Sequence, residues 1–369
     1  MKYLTTTILI LLIIPFGLNA QTNDEIFSAR VLEILEEKTV SNDFSGESTQ
    51  QKLKLKALDG TWQDQEIEFD GLQYEVSSAN RYEVGDKVLV TSTADNDGNN
   101  IFYVTDYVRQ GSIYWLAAIF AVVVIAIGRL KGIRALIVLA LTFIIILQFI
   151  LPQILDGSNP LFISIIGGLF ILIIAIYLTE GFSRNSTIAV SAITISLIIT
   201  GFISILFTNF AKISGGGDDD IFFLKDLLGS NINTEGLLLA GIIIGALGVL
   251  DDVVVTQVES IKQLKKANPD MKKIDLYKSG MKIGITHMSA MVNTLFLAYA
   301  GAALPLLLLF SGNNQVDVSF SNALNNELIA TEIIRTLTGS IGLLLAVPLS
   351  TILAIHFVRN KKAPSAERA

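Results

Sequence analysis

Two adjacent carboxylates, Asp251 and Asp252, interrupt an apolar run that extends from Leu237 to Val255. An ionised carboxylate turned toward acyl chains costs about 3 kcal/mol, so such residues must face protein or water, and they are suited to binding a proton or a cation. Gly241, Gly245, Gly248, Asp252, Thr256 and Glu259 follow one another by three or four positions and share one helical face, small at first and then acidic. Gly241, Gly245 and Gly248 are expected to let a second helix approach closely. From the middle of this span, near Leu247, Asp252 lies roughly 7 Å toward its end. A helix end slipping into the headgroup zone would instead leave both carboxylates merely wet.

The next apolar stretch opens on His287, Ser289, Asn293 and Thr294. His287, Ala290, Thr294, Ala298 and Gly301 form a small and polar face suited to packing on the preceding span. An imidazole close to a carboxylate exchanges protons near neutral pH. With the middle of this stretch placed near Leu297, Asn293 and Thr294 match the level of Asp252, and His287 lies ~15 Å below the middle, where it either relays protons or bonds a loop. The expected ion or proton pathway comprises Asp252, Asp251, His287, Asn293 and Thr294. Glu332 and Arg335, three apart, are expected to form a structural ion pair with each other.

Several function classes fall away. The chain has 51% hydrophobic residues, a mean hydropathy of +0.57 and a formal charge of -7, which favours lipid as a solvent and leaves no nucleic-acid footprint. It has no Cys, which removes thiol catalysis and Cys-ligated metals, and its two His make a poly-histidine metal site an unpromising reading. No Gly-x-Ser-x-Gly or His-Glu-x-x-His element is present and no second helix offers the paired carboxylate of an aspartyl protease, so no catalytic residue, cofactor or metal is assigned and no enzyme is expected.

The elements that must position these residues are legible. Residues 1–20 read as a signal peptide, with Lys2, an apolar run from Ile8 to Ile14, and Leu18-Asn19-Ala20 before Gln21; an uncleaved anchor is the alternative. Residues 21–110 alternate with period two in Lys52-Leu53-Lys54-Leu55-Lys56 and Glu66-Ile67-Glu68-Phe69, with turns at Asp59-Gly60, Asp70-Gly71 and Asp97-Gly98, which predicts a small all-β domain, an OB-like barrel or a sandwich. Seven runs long enough to cross a ~30 Å hydrocarbon core lie near 113–129, 133–151, 160–178, 187–209, 235–257, 284–310 and 331–357. Gly215-Gly216-Gly217-Asp218-Asp219-Asp220 reads as a flexible acidic loop. The fold class is therefore a mainly α membrane protein, a seven-helix domain over 113–357 behind an extracytoplasmic β domain, with a tail at 358–369. Most Lys and Arg of the connections fall on alternate sides: Arg129, Lys131 and Arg134; Arg184; the set from Lys262 to Lys282; and Arg359 to Arg368; the other loops hold Lys212 and Lys225. The positive-inside rule places those basic loops and the C-terminus in the cytoplasm and the β domain outside, in a bacterial inner membrane.

Gly245-Ala246-Leu247-Gly248-Val249-Leu250-Asp251-Asp252-Val253 with Thr256-Gln257, and His287 with Val292-Asn293-Thr294-Leu295-Phe296-Leu297-Ala298-Tyr299-Ala300-Gly301-Ala302-Ala303-Leu304-Pro305, resemble the YibE/F family of bacterial polytopic membrane proteins, as do Glu332-Ile333-Ile334-Arg335, Gly339-Ser340-Ile341-Gly342-Leu343 and Ala346-Val347-Pro348. That resemblance implies an architecture and leaves the activity open. Locally, Leu250-Asp251-Asp252-Val253-Val254-Val255 followed by a basic loop is similar to the fourth and fifth helices of SecF and its RND relatives. There a membrane carboxylate is implicated in proton conduction, which implies that role for Asp252. The relatives' arginine would stand next to His287, where this chain has none, and their large porter domain is missing.

The function expected is a transporter or proton- or cation-coupled device centred on Asp252. The alternative is a non-transporting envelope or export accessory that binds a partner through its β domain. Expected partners are the lipid bilayer and an extracytoplasmic protein or small solute; nucleic acid is not expected, and the sequence does not set an oligomeric state.

Overall fold

The computed structural model describes residues 25–42, 46–72, 81–94, 100–217, 221, 224–225, 233–311 and 320–357. The signal segment, the Asp97-Gly98 turn, Asp218 to Asp220 and the C-terminal tail lie outside the described residues. Two units divide the chain, 1–126 and 127–369.

In the first unit, β1 (Glu25–Asn42), β2 (Gly46–Ala57), β3 (Glu66–Asp70), β4 (Lys87–Ala94) and β5 (Asn100–Tyr107) form one antiparallel sheet in the order β3-β2-β1-β4-β5. Strict alternation along β2 sends Leu53, Leu55 and Ala57 into a core with Phe27, Val31, Phe69 and Val90, and turns Lys52, Lys54 and Lys56 outward. The outward lysines pair with Glu68 at 3.5 Å, Glu66 at 2.8 Å and Asp64 at 3.0 Å. The hydrogen bond and charge of Lys54 hold the Glu66 carboxyl below its ordinary value, and Glu66 in turn raises Lys54. The register of long β1 against β2 shifts at Val31/Glu33 and Ile34/Glu36. Such bulges add local twist, and the two edge strands β3 and β5 come into contact, so the single sheet curls on itself; of the two shapes expected, OB-like barrel or sandwich, one curled sheet is nearer the barrel. Buried Gln51 ties the turn into β4 to the sheet, donating to the Tyr82 carbonyl at 3.0 Å and accepting from the Tyr82 amide at 2.7 Å.

The apolar helices are α1 (Gln110–Ile145), continued by a π turn (Ile146–Ile150) and the short α2 (Leu151–Leu155), then α3 (Pro160–Glu180), α4 (Arg184–Phe210), α5 (Thr234–Ala267), α6 (Lys273–Ala302), the short α7 (Leu304–Ser311) and α8 (Phe320–Asn325), and α9 (Glu327–Phe357). Among the described residues, six helices are long and apolar enough to cross a membrane. The first of them, 46 residues, would be roughly 69 Å long if straight, twice the hydrocarbon thickness. It breaks at Arg129, where φ 50 and ψ -127 are not helical. The break falls between the first two of the seven predicted runs.

Helix starts follow local chemistry. Asn159, Ser183 and Asn233 accept from the backbone amides of Phe162 (3.1 Å), Ser186 (3.1 Å) and Gly236 (2.8 Å). The largest departure from the sequence reading is α6, which begins at Lys273, not near 284, and stops at Ala302, not at 310. Its first turns, with Lys273, Lys278 and Lys282, form a polar helical extension that hydropathy alone does not register. Helices α3, α4, α5 and α9 pack as the core of the second unit, and α6 rests on α5 and α9.

Candidate functional site

The closest helix packing is made by small residues. An added Cβ on Gly342 of α9 would run into the Thr200 side chain of α4, one on Gly284 of α6 would lie 2.5 Å from Val347 of α9, and one on Gly280 would run into Ile261 of α5. Gly241 and Gly248 have nothing within 4 Å of such a Cβ among the described residues, and of the three predicted packing glycines Gly245 alone meets another helix, with the Tyr299 hydroxyl 2.6 Å from its added Cβ. The packing expected of Gly241 and Gly248 within the chain is thus supplied by Gly280, Gly284 and Gly342. The glycine period marks a helical face but does not say which neighbour the bundle places there.

Asp252 is on this open side and is exposed on the surface of the chain. It lies within electrostatic reach of His287 on α6. Asp251, one residue back, is half-buried between Asp252 and Glu180 of α3, and its Oδ1 is enclosed without a hydrogen-bond partner among the described residues. The register of the antiparallel pair α5 and α6 is fixed by Gln257, buried at 3% exposure, whose Nε2 donates to the Gly280 carbonyl at 2.9 Å and to Thr351 Oγ1 of α9 at 2.7 Å. At the other end Gly245 meets Tyr299. This register sets Asp252 level with His287. Asn293 and Thr294 are six or seven residues further on, roughly 10 Å along α6, and both are exposed. The structure therefore brings Asp252 within electrostatic reach of Asp251 and His287, with Asn293 and Thr294 beyond His287 along α6. The sequence reading matched Asn293 and Thr294 to Asp252 from an apolar span of 284–310, whereas the helix runs from Lys273 to Ala302.

A cavity of about 610 Å³ adjoins this cluster, lined by Lys131, Glu180, Thr256, Glu259 and Gln263. Lys131 and Glu180 approach to 3.7 Å, and Glu259 is held by Lys262 at 2.7 Å. A second cavity of about 550 Å³ lies at the opposite end of α5, lined by Leu238, Tyr299, Glu327, Thr331, Glu332 and Arg335. Arg335 pairs with Glu332 at 2.8 Å, and its Nε is enclosed without a partner among the described residues. Glu327 accepts from the Ser214 amide at 2.8 Å, the Ser214 hydroxyl at 2.7 Å and the Gly215 amide at 2.9 Å, which ties the start of α9 to the loop after α4. Leu238 and Val255, which line the two cavities, stand about 25 Å apart along α5.

Two features were absent from the predicted site. One is Gln257, a lone amide on the buried side of α5. The other is a row of hydroxyls on α4, Ser196, Thr200, Ser204 and Thr208, all fully buried. Their four-residue spacing was visible as a small-xxx-small pattern, the signal for a tightly packed face. Thr200 and Ser204 donate back to the carbonyls of Ser196 and Thr200 at 2.8 Å, and the Ser196 and Thr208 hydroxyls have no partner among the described residues.

No curated protein and no solved structure matches the chain. A family model described as YibE/F-like protein matches residues 116–360, which covers every long apolar helix and the whole Asp252 cluster. With about two thirds of its length inside that match, this membrane protein belongs to the YibE/F-like family.

Proposed function

We propose that the protein is a proton- or cation-coupled transporter in which Asp252 takes up and releases the ion. The observation that carries this reading is the position of Asp252: it lies within electrostatic reach of His287 on α6, and cavities lie toward the two ends of the α5–α6 seam. A carboxylate and an imidazole brought together by a small movement of α6, or bridged by water, can hand a proton from one to the other near neutral pH. Asp251 and Glu180 supply further acceptors toward one cavity, and Tyr299, Glu332 and Arg335 line the other. Asn293 and Thr294 offer polar steps along the exposed side of α6. One wall of the seam is largely uncovered: only 11% of the most apolar window of α6 is buried, against 56% for α5. Relative movement of α6 would change which cavity reaches Asp252. In this reading the bundle sits in the bacterial inner membrane with the β domain outside and the C-terminus in the cytoplasm, as the distribution of Lys and Arg requires.

The test is proton flux in proteoliposomes carrying an entrapped pH dye and a potassium-valinomycin potential. Asp252→Asn should abolish the protein-dependent flux, and His287→Gln should reduce it and flatten its pH profile. Flux equal to that of the unsubstituted protein in Asp252→Asn would sink the proposal.

A second reading, a partner-binding envelope module, is favoured by Ile26 and Val84, which stand 67% and 63% exposed on the β domain. If the β domain on a foreign single-span anchor restores the phenotype of a deletion strain, this second reading is the right one.

A further inference from the structure

Ala290, Thr294 and Ala298 continue, at three- and four-residue steps, the side of α6 on which His287 sits. All three are exposed. On α5, Gly241, Gly248 and Asp252 are likewise exposed, and the two glycines have open space beside them. The two faces meet where Asp252 approaches His287, so together they form a groove with small walls and a charged end. Acyl chains are a poor occupant, because a carboxylate facing lipid costs about 3 kcal/mol. The chain's own first apolar segment is a poor occupant too: between Leu116 and Ile127 it holds no side chain able to form a hydrogen bond.

We propose that the groove is a homodimer interface, filled by α6 of a second copy related by a two-fold axis along the membrane normal. Copies inserted with the same orientation can be paired only about such an axis, so identical residues meet at identical depth. Ala290-xxx-Thr294-xxx-Ala298 is then a small-xxx-small stripe facing its own copy, which permits backbone approach in lipid. The charged end is self-complementary as well, since Asp252 of each copy meets a surface that carries His287. The Thr294 hydroxyl donates within its own helix to the Ala290 carbonyl at 3.0 Å, so it brings no unpaired donor into the contact. The pathway residue Asp252 would thereby be covered by the second copy and removed from lipid.

The chain contains no cysteine, so single cysteines report this contact without further engineering. Ala290→Cys, Thr294→Cys and Ala298→Cys are oxidised one at a time in native membranes, with Phe296→Cys and Phe202→Cys as controls on other exposed faces. Cross-linked dimer at 290, 294 and 298 and background at 296 and 202 is the expected result. Equal cross-linking at all five positions, or none at the first three, overturns the proposal. Photobleaching of the labelled, otherwise unsubstituted protein in nanodiscs gives a second reading that depends on no substitution in the groove: two steps support the dimer and one step refutes it. Neither assay reads transport, so a dimer that moves no protons would sink the functional proposal and leave this one intact.

Discussion

Gly342→Ala is a small change whose cost is decided by one contact. Alanine is favoured over glycine in a helix by about 1 kcal/mol, so in an open position the substitution stabilises. At Gly342 the new methyl group would run into the Thr200 hydroxyl, with Thr200 Cβ at 3.1 Å and Cγ2 at 3.2 Å. Both helices belong to the buried core of the bundle, and Thr200 itself is fully buried, so neither backbone has free space to retreat into. Overpacking of this kind costs about 1–3 kcal/mol, more than the helix gain, and the net effect is destabilisation. Gly339, one turn away on the same helix, is the internal control: its nearest neighbour would be Leu295 at 3.7 Å, an ordinary contact, so Gly339→Ala should be neutral or slightly stabilising. Thr200→Ala removes the clashing hydroxyl and methyl, so the double variant should be more stable than the sum of the singles by about 0.5–2 kcal/mol. The assay is reversible unfolding in mixed micelles followed by intrinsic fluorescence. If Gly342→Ala and Gly339→Ala behave alike, or the double variant is additive, the contact between α4 and α9 described above is wrong.

Gln257→Leu removes both bonds that join α5 to α6 and α9; at about 0.6 kcal/mol for a typical interhelical bond in a membrane, the loss is about 1–2 kcal/mol. Hydrogen exchange should speed up around Gly280 before the rest of the bundle, and unchanged protection there would contradict the register. In the β domain, Glu66→Gln tests the pairing with Lys54. Because the folded carboxyl of Glu66 is held below its unfolded value, its contribution is complete above about pH 4.3 and is lost as the pH falls through the folded value. Lys54, raised by the same contact, loses its share only as the pH rises through its own folded value, above about pH 10.4. Thermal unfolding of the β domain, followed by circular dichroism of the full chain, should therefore vary less between pH 5 and pH 3 in Glu66→Gln than in the unsubstituted protein. An identical slope would show the pair to be inert.

The order of elements, the β-to-helix division and the polar residues of α5 and α6 are all local facts, set by two periodicities and by hydropathy, and they can be read from the chain alone. Alternation along Lys52 to Lys56 has one outcome, because a strand has two faces and one must be apolar. The break at Arg129 lies between two apolar runs that were already separate in sequence. What the chain did not determine is which of several small or polar faces meets another. Gly241, Gly245 and Gly248 read as a packing stripe as convincingly as Ser196, Thr200, Ser204 and Thr208. Only the bundle places the α4 row in the core and turns Gly241 and Gly248 outward. The nearness of Asp252 to His287 likewise depends on the register of α6 against α5, which Gln257 and Gly280 fix, and a polar helical extension beyond an apolar span leaves no mark in hydropathy. Lipid is equally apolar on every side, so burial in a membrane does not rank one helix face above another. Shape and hydrogen bonds such as those of Gln257 do, and these exist only once the helices are assembled.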